Sequence, residues 1–399
     1  MKKVLLFTFS LLICGIVSSQ VKREIFESRK LKSNRELKIK LPDNYNPDSE
    51  LKHPVIIVFD GEYLFEPVAG QTDFQTHFDE MPKSIVVGIV QGKARFYDSY
   101  YDEVTGLPFE SGKRFYDFVA EELIPYIDSS YNTSKFRVAV GHNLMGNFIN
   151  AFLMAEAPLF QAYINLSPDF QGTMGQNVAK RLGFLENDIF YYLATSDGDI
   201  KRINKSIHET NNAIQSLEQL QLTYYFDELK GDTHYGLVTG ALSKAMDKIF
   251  ELYKPLDEKE IEEKIMPYEG TLDDYITDRY ERIDELFGIT KPISEIEFDQ
   301  LVEVAERRED LESIYKIGKL ANKQNPESLI GNYYMAQHAE KVGKTKRARK
   351  YYESALSLKE SDKIDKDFIK SRLDELMKDK NDDSEVAVEE LEKDYEEEQ

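Results

Sequence analysis

The chain has 399 residues, 41% of them hydrophobic, which is enough for one large domain and a smaller one and too apolar for wholesale disorder. Its formal net charge of −22 repels nucleic acid and anionic membrane surfaces, and otherwise serves solubility. With no Trp, the aromatic load of core and cleft falls on 24 Tyr and 23 Phe.

Residues 1–19 read as a secretory signal peptide. Lys2 and Lys3 supply the charged start, Val4 to Val17 is an apolar run too short to span a bilayer well, and Val17-Ser18-Ser19 offers a small-residue cleavage site. Cleavage at Cys14 as a lipoprotein is the alternative, disfavoured by Ile13 where a small residue is expected. Cys14 is the only cysteine and leaves with the leader, so the mature chain is expected to have neither disulfide nor thiol nucleophile. No other apolar run approaches the ~20 residues of a membrane helix. The expectation is a soluble extracytoplasmic protein, periplasmic or secreted, with no membrane insertion.

Arg23 to Phe26 and Arg35 to Leu41 alternate polar and apolar residues, as half-buried strands do. His53 to Asp60 is a continuous apolar run suited to a central parallel strand, and it ends in Asp60-Gly61-Glu62-Tyr63-Leu64-Phe65. Ser84 to Val90 is the next such run. Gln91 to Gly112 is polar and aromatic, and Arg114 to Tyr126 is an amphipathic helix. Phe136 to Val140 is a short buried strand, followed by the tight turn Gly141-His142-Asn143-Leu144-Met145-Gly146 and a helix from near Leu144 to Ala155. Gln161 to Pro168 and Asp188 to Thr195 read as strands, the second ending at Ser196-Asp197-Gly198-Asp199. Lys205 to Leu220 is a helix, and Leu222 to Phe226 a late strand. Gly231-Asp232-Thr233-His234-Tyr235-Gly236 then leads into a helix from about Val238 to Tyr253. Gly172 to Gly175 reads as a turn. Strands alternating with helices over residues 20–255 predict a doubly wound, mostly parallel α/β sheet.

From Pro255 the character changes. Residues 256–270 read as a charged linker, and 271–378 as wholly helical, a small all-α module. Leu329 to Glu360 resembles one tetratricopeptide unit, with Met335, Ala336 and Ala339 on the first helix, Gly343 at the turn, and Ala348, Tyr352 and Ala355 on the second. The pair before it, Phe298 to Asn322, reads as a degenerate partner. Residues 379–399 read as an acidic disordered tail.

Strand, tight turn, helix is where α/β-hydrolases place a nucleophile, in the form G-x-S-x-G. The turn at 141–146 resembles the Gly-His-Ser-Leu-Gly-Gly elbow of the esterase family that includes siderophore and feruloyl esterases. Three other stretches carry the same resemblance: the turn at Asp60-Gly61, the segment ending Glu122-Leu-Ile-Pro-Tyr-Ile-Asp128, and Ala162-Tyr-Ile-Asn-Leu-Ser167-Pro168. The resemblance implies an α/β-hydrolase fold over about residues 23–253. It also implies a triad in the order nucleophile, acid, His: position 143, Asp199 or else Asp197, and His234. Oxyanion donors would be the backbone N–H of Glu62 or Tyr63 and of Leu144.

Two positions depart from the family pattern. Asn143 stands where the nucleophilic Ser belongs, and Met145 where a Gly is usual. An amide has no hydroxyl for His234 to deprotonate. Met145 is expected to crowd the contact between strand and helix and so to disturb the Leu144 N–H. Deamidation of Asn143 would give a carboxylate nucleophile, but the Leu that follows makes it slow. His142 with Asn143, or His234 with Asp232, gives no metal-ligand spacing, no Gly-rich phosphate loop is present, and no cofactor is expected. The reading is a nucleophile-less esterase relative, leaning away from an enzyme: a pseudoenzyme that binds an ester-like ligand in its cleft or a protein through its C-terminal helices. The rivals are an active carboxylic-ester hydrolase, acting on an acyl, feruloyl or siderophore-type ester through an atypical site, and a structural subunit of an envelope assembly.

Overall fold

Eight strands form one sheet in the order β1-β2-β4-β3-β5-β6-β7-β8. They are β1 Val21–Ser28, β2 Ser33–Lys40, β3 His53–Val58, β4 Ile85–Val90, β5 Thr133–His142, β6 Ala162–Leu166, β7 Ile189–Gly198 and β8 Leu222–Thr233. Strand β1 pairs antiparallel with β2 and β2 antiparallel with β4; every later pairing is parallel. This computed structural model describes residues 21–378, so the signal-peptide and acidic-tail expectations lie outside the described residues.

The central strands are apolar along their whole length because both faces are covered. Val55, Ile57, Phe59, Val87, Ala139, Tyr163 and Tyr191 face one core, which they share with Phe115, Phe118, Phe148, Phe152 and Ile207 of helices on that side. The helix Leu237–Ile249 lies against β6, β7 and β8 and beside the helix Phe65–His77. The latter is absent from the sequence reading for a physical reason. Its inward positions include Thr72 and Gln75 beside Phe65, Val68 and Ala69, so its apolar periodicity is broken.

The single helix expected over 114–126 is instead Glu110–Phe118, a wide turn Val119–Leu123, and Ile124–Ser130. Pro125 has no N–H to give to the carbonyl four residues back, so the ladder widens there. Gly172 lies in a turn at positive φ, but Met174 and Gly175 open the helix Met174–Leu182.

The chain divides into two compact units. One runs to Lys254 and takes in Glu285–Ile289; the other comprises Pro255–Asp284 and the residues from Thr290 on. The 256–270 stretch is no bare linker: Glu258–Glu260 is helical, capped by Asp257, and Leu256 and Ile265 are buried in the second unit's core. That core is helical throughout. The helices Glu295–Arg307, Leu311–Gln324, Ile330–Lys341 and Thr345–Ala355 pack in sequence, the first capped reciprocally by Ser294 and Glu297. Ala336, Ala339, Ala348 and Ala355 are fully buried, and an added Cβ at Gly318 would meet the Gly331 carbonyl at 2.9 Å.

Candidate active site

The residues singled out in the sequence gather at the carboxyl ends of adjacent parallel strands, where open α/β sheets hold their ligands. Asp60 follows β3, Asn143 follows β5, Ser167 follows β6, Asp199 follows β7 and His234 follows β8.

Asn143 sits on a sharp turn with φ 56° and ψ −121°, a backbone state that costs about 1–3 kcal/mol. Two glycines permit it. A Cβ on Gly141 would lie 2.4 Å from the Met145 carbonyl oxygen, and one on Gly146 would lie 2.9 Å from Pro168 Cα. The Asn143 N–H is tied to the Leu166 carbonyl at 3.2 Å, and its own carbonyl accepts from Asp169 N–H at 3.0 Å. Met145 does not crowd this turn as expected: its side chain is fully buried and joins the core with Phe148 and Ile149.

Asn143 Nδ2 donates to His234 Nε2 at 3.1 Å. His234 Nδ1–H donates to Asp199 Oδ1 at 2.7 Å. The imidazole is therefore held in one tautomer, with its Nε2 lone pair filled by an amide N–H where a serine O–H would otherwise point. Asp199 is saturated with donors: Ser167 Oγ at 2.6 Å, Thr195 Oγ1 at 2.8 Å and Ile200 N–H at 2.7 Å add to His234. Burial pushes its carboxyl up, but these hydrogen bonds, led by His234, outweigh burial and hold it below the ordinary value. Ser167, at φ 43°, also brings its Oγ within 2.9 Å of His234 Nδ1. It holds the acid and the imidazole together.

Asp197, the second choice for the acid, is not at His234; its Oδ1 accepts from Gly231 N–H at 2.8 Å. It is exposed at the end of β7, where the run of buried residues from Ile189 to Ser196 stops, whereas Asp199 just beyond the strand is buried again. Of the candidate oxyanion donors, Tyr63 N–H is used up on the Asp60 carbonyl at 3.1 Å, within the turn. Glu62 N–H has no hydrogen bond among the described residues, and Leu144 N–H opens a helix and so lacks an intrahelical acceptor.

A polar chain that the sequence reading missed lies behind His234, with His142 and Asp60 buried and Tyr63 at its open side. His142 Nε2–H donates to the His234 carbonyl at 3.1 Å. The Tyr63 hydroxyl lies 3.0 Å from His142 Nδ1 and 3.0 Å from Asp60 Oδ2, and Asp60 receives Arg95 through two bonds of 2.6 and 3.0 Å. Burial, then the neighbouring His234, push His142 down to about 4, so it is a neutral spacer. Burial raises Asp60 despite Arg95, and pushes Asp98, bonded to Arg35 at 2.9 Å, up to about 6. The signal was the resemblance around Asp60-Gly61 and Gly141-His142; nothing local pairs Arg95 with Asp60 across 35 residues.

Among the described residues, no three His, Cys, Asp or Glu side chains gather as a metal-ligand set, and no helix is long and apolar enough to cross a membrane.

The fold and the arrangement of these residues at the strand ends are α/β-hydrolase-like. Residues 28–169 match the family described as "Putative esterase", which confirms the resemblance read from the sequence. Among solved structures, an uncharacterised protein from Capnocytophaga ochracea is 28% identical over 90% of this chain and 99% of its own, with a TM-score of 0.81. An IroE-like serine hydrolase from Shewanella oneidensis shares the fold at 22% identity, over 73% of this chain and 96% of its own, with a TM-score of 0.56. A siderophore hydrolase, EstA from Aspergillus nidulans, does so at 14% identity, over 58% of this chain and 95% of its own, with a TM-score of 0.50. No curated protein matches the sequence.

Proposed function

We propose that this protein binds an ester-like or acyl ligand in an esterase cleft without turning it over. The observation that carries this reading is the Asn143 amide N–H seated on His234 Nε2. His234 finds no hydroxyl proton to remove there, and loss of a triad nucleophile costs on the order of 10⁶ in kcat. The remaining parts of the site serve binding. Glu62 and Leu144 N–H suit a carbonyl oxygen, and Tyr63 and Tyr235 are exposed beside His142 and His234. Neighbours named as serine and siderophore hydrolases make siderophore-type and aryl esters the first ligands to try. The leader-like residues 1–19 support an extracytoplasmic location, and the tetratricopeptide-like helix pairs support a protein partner for the second unit.

A working carboxylic-ester hydrolase is the second reading, favoured by the retained His234–Asp199 pair and the strained elbow. Hydrolysis of p-nitrophenyl acetate and butyrate by wild type, Asn143→Ser and Asn143→Ser/His234→Ala separates the two. The expected result is background rate in wild type, a gain in the single variant and its loss in the double. Wild-type turnover that His234→Ala abolishes would overturn the pseudoenzyme reading.

A further inference from the structure

In a chain of net charge −22, the second unit carries a concentrated basic strip. Lys344, Lys346, Arg347, Arg349 and Lys350 fall within seven residues at the start of the helix Thr345–Ala355, whose first turn holds no acid. Ala348 and Tyr352 face the core, so Lys346, Arg347 and Lys350 share the outer face. Lys319 extends it from the helix Leu311–Gln324.

Few of these cations meet an anion. Arg347 is held by two phenols, Tyr315 Oη at 3.2 Å and Tyr351 Oη at 3.0 Å, and lies 5.4 and 5.5 Å from the two ring centres. Lys319 sits 5.9 Å above the Tyr315 ring. Arg349 reaches Glu353 only at 4.0 Å. Among the described residues, no carboxylate pairs with Lys344, Lys346 or Lys350. Clustered like charges of this kind repel one another and destabilise the helix unless an anion lies over them.

The chain itself supplies one. The final described helix, 366–378, runs in the same sense as Ile330–Lys341: Phe368 meets Tyr333 at 5.9 Å, and Arg372 pairs with Glu340 further along. Six more residues, a rise of about 9 Å, bring it level with the turn that opens the basic helix. The chain beyond residue 378 therefore starts at the strip's end. Residues 382–399 carry ten acids against Lys393. Twenty-one residues reach up to about 70 Å, several times the length of the strip. A tethered segment also acts at millimolar effective concentration, so weak individual pairs suffice.

We propose that the acidic segment 382–399 docks on the basic strip formed by Lys319, Lys344, Lys346, Arg347 and Lys350. The bound segment screens the strip from other polyanions, and an acidic partner reaches the strip only by displacing it.

Zero-length carbodiimide cross-linking of the full chain, read by peptide mass spectrometry, tests this. At 50 mM salt the expected links join Lys344, Lys346 or Lys350 to acids of 382–399. They should fall at least tenfold at 500 mM salt and in Lys346→Glu/Lys350→Glu, whose sites are exposed and leave the core untouched. Links spread evenly over lysines elsewhere, such as Lys93 and Lys205, would overturn the proposal. So would mixed-isotope pairs making up about half of these links in an equal blend of ¹⁴N and ¹⁵N protein, which would make a second copy the occupant. Retention of the untreated full chain on heparin at 150 mM salt would likewise show the strip uncovered.

Discussion

At position 143 the fold and the chemistry make separate demands. The turn needs a residue that tolerates φ 56°, and Asn accepts positive φ more readily than most. Hydrolysis needs an ionisable hydroxyl, which Asn lacks. Asn143→Ser should therefore keep the turn and raise p-nitrophenyl butyrate turnover by at least about 10² of the ~10⁶ a triad nucleophile is worth. His142 gives a second prediction at this scale. Its ring, pushed down to about 4 by burial and by His234, binds fewer protons folded than unfolded between about pH 6.5 and 4. That contribution to stability is lost as pH falls through the window, up to about 3 kcal/mol. Asp98, raised to about 6, works in the opposite sense over nearly the same range. The effect is therefore cleanest as a difference. Wild type should lose stability relative to His142→Gln between pH 6.5 and 4 in chemical denaturation, and a pH-independent difference would refute the assignment.

At the scale of the element, the elbow was legible because its spacing is carried by glycines with a steric task, Gly141 and Gly146. Met145 was misjudged from sequence, because the pattern records which residue is usual and not which way a side chain leaves the helix. It leaves toward the core. Met145→Gly, which restores the family residue, should thus destabilise the first unit by about 2–5 kcal/mol through the cavity it leaves, measured by urea unfolding. Gly146→Ala should cost about 1–3 kcal/mol through its contact with Pro168. The helix Phe65–His77 was invisible for the opposite reason, since Thr72 and Gln75 occupy its buried face. The Asp60–Arg95–Tyr63–His142 chain was invisible because its members meet only once β3 and β5 lie side by side.

For the whole molecule, composition and the change of pattern at Pro255 announced a sheet domain followed by helices. The crossing of Glu285–Ile289 into the first unit could not be read, because it rests on packing of Phe287 against Phe136, at 4.9 Å, and Phe190. Each unit has its own core, so loss of the reciprocal cap in Ser294→Ala, worth about 1 kcal/mol, should lower amide-exchange protection over 295–378 and leave β3, β5 and β6 unchanged. We propose a hydrolase-like framework kept intact around Asn143 in the nucleophile's place. Intact-mass spectrometry after incubation with a fluorophosphonate tests it most directly. The expected result is no adduct on wild type and one adduct at position 143 in Asn143→Ser. An adduct on the wild-type chain, at any residue and dependent on His234, would contradict it.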